Sequence, residues 1–269
     1  MGDEAAAQGF GRRAWGRVLR TDPSIRQQGT VSPESSGHMT GFQAGLDLYA
    51  EKNIKAGLYV GQLEGSMHVN GFASGENGKD VGFNRLSSRY LGLYGSWLDD
   101  SGLYADAVLQ AASYRSNLHT ADGLSSATTK GSGWLASLEV GKSYALNHQW
   151  RIEPQAQLIY RQISLDDTTL SGAMVQHKTP SDWTLRLGAR IKGSLATAAG
   201  VLQPYASVNV YRASSTDDVA RFVAPAASTD IAAKGGTTST ALAAGAALQL
   251  NQRTSVYGEI GDRKSTRLN

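Results

Sequence analysis

Residue types that commonly carry out catalysis are few and unsuitably spaced in this sequence. The chain has no Cys, which excludes a disulfide scaffold, a thiolate zinc site and Cys-based catalysis. No Ser lies in a Gly-x-Ser-x-Gly elbow, and no two His are four residues apart as in a helical zinc pair. Gly141-Lys142-Ser143 resembles the end of a phosphate-binding loop, but Ala136 stands where that motif needs Gly. We therefore predict that the chain is not an enzyme and has neither a cofactor nor a metal site.

Charged side chains that alternate with apolar ones are the candidate functional residues. In 150–160, every second residue from Trp150 to Tyr160 is apolar, and the intervening positions carry charge or amide groups up to Ile159. Because successive side chains of a strand point to opposite faces, such a segment has one apolar face and one polar face. The charged residues on the polar parity are Asp106, Glu139, Arg151, Glu153, Arg161, Arg186, Arg190 and Lys192. We predict that they line a hydrated lumen. Whether they serve a passing chain or only pair across strands stays open.

The period of two recurs along the chain and predicts an all-β fold. Eleven candidate strands follow from it: Phe10–Arg20, His38–Ala50, Ile54–Val69, Leu86–Leu98, Gly102–Leu118, Gly133–Ala145, Trp150–Leu165, Asp182–Leu195, Val201–Ala213, Ser239–Asn251 and Thr254–Gly261. Most reach the ~9–11 residues that a tilted strand needs to cross a bilayer.

The connections between these strands alternate between short and long. The long ones are Thr21–Gly37, Asn70–Arg85, His119–Ser132, Asp166–Ser181 and Ser214–Thr238. An up-and-down barrel in an outer membrane has this arrangement, with tight turns on the periplasmic side and long loops outside. The pattern therefore predicts a transmembrane antiparallel β-barrel.

Four Trp residues stand close to the ends of the candidate strands. Trp97 and Trp150 adjoin short turns, whereas Trp134 and Trp183 follow long loops. An indole ring with its polar N–H is most stable at the headgroup level of a bilayer. We predict that these four residues mark the two membrane interfaces.

Composition excludes some of the remaining classes of protein. The chain has 269 residues, 18% of them charged, and a formal net charge of +3, which is too small to suggest nucleic-acid binding. No apolar run reaches the ~18 residues of a membrane-spanning helix. The start lacks the basic and apolar regions of a secretion leader. We therefore expect either a cytoplasmic protein or the C-terminal piece of a longer one.

Several stretches resemble the translocator domain of autotransporters, in its pertactin-like branch. They are Trp15-Gly16-Arg17-Val18, the run from Gly41 to Tyr49, the run from Glu153 to Tyr160, Gln203-Pro204-Tyr205-Ala206 and the run from Ser255 to Glu259. Their order and spacing carry the resemblance from about Trp15 to Gly261. It implies a twelve-stranded barrel in the outer membrane of a Gram-negative bacterium, which belongs to type V secretion. It also implies three partners: outer-membrane lipid, the protein's own N-terminal passenger, and the β-barrel assembly machinery.

The two ends of the chain depart from that family. We expect residues 1–9 to be a remnant of the linker to a missing passenger, residues 10–262 to form the barrel domain, and residues 263–269 to be an anomalous, artefactual tail. The family's twelfth strand closes on an aromatic residue, which Asp262 to Asn269 lacks. An unpaired strand edge in lipid costs several kcal/mol per backbone group. We therefore predict that the chain as written inserts poorly into a membrane.

Two other functions stay open at this point. The first is a passive porin-like channel, although porins generally have more strands than this length allows. The second is a soluble secreted β protein, in which a second sheet would have to cover apolar faces such as Leu185, Leu187 and Ile191.

Overall fold

A computed structural model describes residues 14–26, 28–29, 33–73, 75–170, 172–178, 180–214, 218–224, 227–233, 237–251 and 254–266. Within these ranges the backbone forms antiparallel strands, and no helix is long and apolar enough to cross a membrane. The main sheet contains β1 (Ala14–Thr21), β2 (Glu34–Glu51), β3 (Ile54–Ala73), β4 (Glu76–Leu98), β5 (Leu103–Thr120), β6 (Ser126–Lys142), β7 (Trp150–Leu165), β8 (Asp182–Gly193), β9 (Gly200–Ala213), β10 (Thr238–Gln249) and β11 (Ser255–Thr266).

Each main strand pairs with the strand that follows it in the chain, from β1 to β11. The predicted all-β, up-and-down antiparallel fold is therefore confirmed, with eleven consecutive main strands among the described residues. Three short strands pair beside them in the same sheet: Ser24–Arg26, Tyr144–Ala145 and Leu195–Thr197. The register matches apolar residues to one another: Leu158 of β7 lies opposite Leu138 of β6 and Leu185 of β8. Such cross-strand pairs fix the register, because a slip by one residue would move every side chain to the other face.

Burial on the two faces is the reverse of that in a soluble domain. Glu153 and Arg190 are only 3% and 6% exposed, whereas Leu242 and Leu187 are 61% and 54% exposed. Charged residues of soluble proteins are seldom buried, and their large apolar residues seldom cover one continuous surface. The sheet curls toward its polar face, since Trp15 of β1 reaches Tyr94 of β4, three strands away. The polar face is called the inner face below, and the apolar face the outer face.

Two of the predicted long loops are largely strand. β3 continues to Ala73 and β4 begins at Glu76, so that most of 70–85 forms a hairpin. Similarly, β5 reaches Thr120 and β6 starts at Ser126. These segments lack the apolar alternation from which the other strands were predicted. Continued pairing still satisfies their backbone N–H and C=O groups, which explains why the ladder extends beyond the apolar band.

Two other long connections contain strands that join into a second sheet. The strands Thr168–Leu170 and Ala173–Lys178 lie between β7 and β8, and Asp218–Ala224 and Ala227–Ala233 lie between β9 and β10. Together with Gln28–Gly29 they form a five-stranded sheet. Sequence alternation did not predict these short strands. The short connections lie at the opposite ends of the main strands.

The main sheet has two free edges among the described residues, β1 and β11, and the two strands do not pair with each other. β11 runs five residues beyond the predicted end at Gly261, and Arg263 of the predicted tail lies opposite Ala241 of β10. The strand predicted over Phe10–Arg20 begins, within the described residues, at Ala14. The predicted linker remnant, residues 1–9, and the last three residues lie outside the described ranges, and these boundaries stay predictions.

Candidate functional site

The predicted charged residues are distributed between a buried network and the ends of strands. Asp106, Glu139, Glu153 and Arg190 are all less than 9% exposed. The side chains of Arg186 and Lys192 are 12% and 19% exposed. These six residues lie on the inner face of β5, β6, β7 and β8. The other two, Arg151 and Arg161, are exposed.

Glu153 of β7 is the centre of the first group of charges. Its Oε2 accepts hydrogen bonds from Nη2 and Nε of Arg190 at 2.7 and 2.9 Å, and its Oε1 lies 3.1 Å from Nζ of Lys192. The register explains this arrangement. Glu153 lies directly opposite Arg190, and Lys192, which lies opposite Arg151, is the diagonal neighbour of Glu153 on the same face. One carboxylate therefore neutralises part of the charge of two cations of β8 within a closely packed group of side chains.

Glu139 of β6 is the centre of the second group. Its Oε2 lies 2.8 Å from Nη2 of Arg186, which belongs to β8, two strands away. Its Oε1 accepts a 3.0 Å hydrogen bond from the hydroxyl of Tyr104. Nη1 of Arg186 also donates to Oδ1 of Asn209 on β9 at 2.9 Å. The buried carboxylate of Asp106 lies directly opposite Glu139. The second group thus connects four strands, β5, β6, β8 and β9.

The two exposed arginines lie outside this network. Arg161 forms a salt bridge with Asp182, the first residue of β8. Arg151 is the second residue of β7, close to the short connection. Both follow the predicted parity, but Arg151 lies at the start of β7 and Arg161 lies opposite the start of β8, and each side chain is left in solvent. Alternation alone does not distinguish the middle of a strand from its end.

An aromatic group on the inner face of β1 to β4 was missed by sequence reasoning. Tyr59 is 2% exposed and donates a 2.8 Å hydrogen bond to Oε1 of Gln110. Nε1 of Trp15 donates to the hydroxyl of Tyr94 at 3.2 Å, and that hydroxyl donates to Asp47. The rings of Trp15, Tyr90 and Tyr94 all lie within 6.4 Å of the Tyr59 ring, centroid to centroid.

Glycines beneath these rings explain how so many aromatic side chains fit on one face. Gly92 lies directly opposite Tyr59, and a Cβ atom placed there would be 2.3 Å from Cζ of the Tyr59 ring. Gly57 and Gly61 provide the same space for Tyr94 and Tyr90. Aromatic side chains that cover glycines on a neighbouring strand restore packing that glycine alone cannot provide. The sequence signal for this aromatic group is a Tyr that lies opposite a Gly on the neighbouring strand. Such pairs can be recognised only once the register of the strands is known.

The predicted interface tryptophans form two rows, and three of the four are exposed. Trp134 and Trp183 are 42% and 49% exposed on the outer face, and both rings contact Tyr160 at centroid distances of 4.8 and 4.6 Å. Trp97 is 39% exposed near the short connections. Trp150 is half-buried, because its ring packs over Gly193.

The distance between the two rows follows from the register. Trp150 and Tyr160 lie ten residues apart on β7, opposite Gly193 and Trp183. Ten residues of strand span ~34 Å, and a tilt of ~35–45° reduces this to a height of ~24–28 Å. The height agrees with the ~25 Å apolar band of outer-membrane barrels. That these residues contact the membrane interface stays a prediction.

No group of His, Cys, Asp and Glu in the described parts of the chain is arranged to hold a metal ion. The inner face carries ion pairs together with amide and hydroxyl groups.

Comparisons with known proteins agree with this architecture. The autotransporter beta-domain family matches residues 14–261. The probable autotransporter YcgV of Escherichia coli is 30% identical over 143 residues, which are 49% of this chain and 14% of that protein. The BrkA autotransporter of Bordetella pertussis is 28% identical over 187 residues, 65% of this chain and 18% of that protein. The matched segments thus span less than a fifth of the length of these relatives.

A solved structure supports the fold independently. The transport unit of the autotransporter AIDA-I from Escherichia coli superposes with a TM-score of 0.76 at 17% identity, covering 94% of this chain and 84% of that one. The resemblance drawn from the sequence is therefore confirmed. The chain belongs to the autotransporter β-domain family, whose members are barrels of the Gram-negative outer membrane.

Proposed function

We propose that this chain is the translocator through which, or with which, its own N-terminal passenger reaches the cell surface. The observation that carries the proposal is the combination of an exposed apolar face with a curled, charged inner face on one antiparallel sheet. Such a sheet is stable only with lipid outside and water inside. The proposal includes a non-enzymatic role, since the inner face offers pairing groups rather than an activated nucleophile.

The polar residues of the inner face have a specific part in this proposal. Asp106, Glu139, Glu153, Arg186, Arg190 and Lys192 would line the lumen, with Arg151 and Arg161 at its two mouths. Because Glu139 and Glu153 already neutralise Arg186, Arg190 and Lys192, an extended chain that passes by would meet these cations already paired. Pairing within the wall therefore favours passage over adhesion.

The partners follow from the same geometry. Outer-membrane lipid would cover the outer face, with Trp97, Trp134, Trp150 and Trp183 at the two interfaces. The β-barrel assembly machinery would insert the strands. The passenger is the cargo.

The test is a surface-display experiment. A secretion leader and an epitope-tagged unfolded segment are fused ahead of Met1 of the full chain, and the fusion is expressed in a Gram-negative host. We expect external protease to remove the epitope from intact cells. The matched control joins the same leader and segment to a soluble periplasmic protein, which must remain protected.

Insertion is scored separately by the heat-dependent shift in gel mobility, because the free edges at β1 and β11 predict inefficient insertion. An inserted, heat-modifiable chain whose epitope stays protected would contradict the translocator function. Efficient insertion of the chain as written would contradict only the prediction made for its edges.

A further inference from the structure

Four cations gather on the outer face beyond the apolar band, on β4, β5 and β6. Arg115 of β5 lies directly opposite Lys130 of β6 and, on its other side, opposite Ser87 of β4. Arg85 and Arg89 lie two residues to either side of Ser87, which makes both of them diagonal neighbours of Arg115. Diagonal neighbours on one face are ~7–8 Å apart, within reach of arginine side chains. All four cations are exposed.

Two carboxylates lie near these charges, but neither forms an ion pair with them. None of the four forms a salt bridge with any residue that the structure describes. Asp166 follows the last residue of β7, and its backbone N–H donates a 2.8 Å hydrogen bond to the carbonyl of Lys130. Glu64 of β3 lies opposite Ser87, diagonal to both Arg85 and Arg89, and it accepts a hydrogen bond from Gln62. Two cations directly opposite each other on adjacent strands repel. An anion between Arg115 and Lys130 would remove that repulsion.

The cluster lies beyond the row of interface residues that contains Trp134, at the level where lipid headgroups are expected. Trp134 lies in one row with Ala111 and, through it, with Leu91. Arg89 lies two residues beyond this row, and Lys130 lies four residues beyond it. These offsets correspond to ~7 and ~14 Å along the strands. The cluster is on the side of the long connections, which in bacterial barrels faces the cell exterior.

An apolar groove adjoins the cluster. It is a shallow, open depression of about 490 Å³ on the outer face, and Phe42, Val60, Leu91 and Ala111 line it together with Arg89 and Gln62. Leu91 is 55% exposed and Phe42 is 52% exposed. A groove that joins an apolar wall to a cation fits an acyl chain below and an anionic headgroup above.

We propose that Arg85, Arg89, Arg115 and Lys130 bind the phosphates of an anionic lipid of the outer leaflet, with one of its acyl chains in the adjoining groove. The cluster extends over three strands, or ~9–10 Å across the sheet. Four cations carry more positive charge than a single phosphate neutralises, so the structure favours a headgroup that carries two phosphates. Arginine is well suited to this contact, because its planar guanidinium binds phosphate through two parallel hydrogen bonds.

The experiment measures the binding of diphosphoryl lipid A to the refolded full chain in detergent, followed by tryptophan fluorescence. The test variant is R115Q/K130Q. The matched control is R20Q/K79Q, which removes two exposed cations that are already paired with Asp22 and Glu76. Each cation near a membrane surface contributes about fivefold in affinity, so we expect R115Q/K130Q to bind about thirtyfold more weakly. The control should bind like the original chain.

Two further binding measurements distinguish between the possible ligands. Monophosphoryl lipid A should bind more weakly than the diphosphoryl form, and millimolar inorganic phosphate should not displace the lipid. If R115Q/K130Q fails to fold in lipid-free detergent, the single variant R89Q tests the same site and should lose about fivefold in affinity. Equal losses in test and control variants, or displacement by inorganic phosphate, would overturn the proposal.

Discussion

The two halves of the inner face are filled by different chemistry. Along β1 to β4, aromatic rings pack over glycines, with Tyr59 at the centre of the group. Along β6 to β8, the same face carries ion pairs around Glu139 and Glu153. Aromatic rings fill space and tolerate the loss of one hydrogen bond. Buried charges leave an unpaired cation behind when one partner is removed. The halves should therefore respond differently to substitution.

The largest effect is expected at Glu153. The substitution Glu153→Gln removes the carboxylate that both Arg190 and Lys192 contact, and breaking a buried pair in this way costs about 3–5 kcal/mol. Urea unfolding in detergent measures the change. The control Glu76→Gln breaks an exposed pair with Lys79 and should cost no more than about 1 kcal/mol. Equal losses in the free energy of unfolding for Glu153→Gln and Glu76→Gln would show that the buried charges of this half are no more sensitive to substitution than exposed ones.

A smaller effect is expected at Gly92 in the aromatic half. A Cβ there would overlap the Tyr59 ring, which its aromatic neighbours hold in place, so Gly92→Ala should destabilise the chain by about 1–3 kcal/mol. Gly95→Ala on the same strand is the control, because the nearest atom to its added Cβ is 3.9 Å away. Similar unfolding midpoints for both variants would mean that the ring moves freely.

Loss of the Tyr59 hydroxyl should have a weaker effect still. Tyr59→Phe keeps the ring over Gly92 and loses only the hydrogen bond to Gln110, at a cost of about 0.5–1.5 kcal/mol. Tyr144→Phe is the control at a half-exposed position. A cost for Tyr59→Phe as large as that for Glu153→Gln would show that the aromatic half depends on its polar groups as strongly as the charged half.

The smallest effect is expected in the connection between β5 and β6, outside both halves. Hydrogen bonds from the Thr120 hydroxyl and the Leu124 amide hold the pKa of Asp122 below its usual value of 3.8. A lowered pKa stabilises the turn above pH 3.8, and this contribution is lost as the pH falls through the lowered pKa. We expect the hydrogen-exchange protection of the Leu124 amide, corrected for intrinsic rates, to fall in acid. In Asp122→Asn this pH dependence should be absent, and persistence of it there would assign the effect to another group.

Much of the main sheet could be predicted from sequence, because a strand with one apolar face has to alternate. The pairing of Glu153 with Arg190 follows from that alternation once β7 and β8 are neighbours. The strands of 70–85 could not be predicted in this way, because water on both sides removes the alternation. The contact of Tyr59 with Gly92 depends on register, and the exposure of Arg151 depends on its height in the sheet. Neither register nor height can be read from one strand alone.

The assignment of the two faces is tested most directly by spin labels at single Cys residues, since the chain has no Cys of its own. Leu185 and Val208 lie on the outer face, and Thr184 and Ser207 lie on the inner face of the same two strands. In lipid bilayers, we expect labels at Leu185 and Val208 to collide preferentially with oxygen, which concentrates in lipid. Labels at Thr184 and Ser207 should collide preferentially with a water-soluble nickel chelate. Equal access of the chelate to all four positions would contradict the account of a barrel wall with lipid outside and water inside.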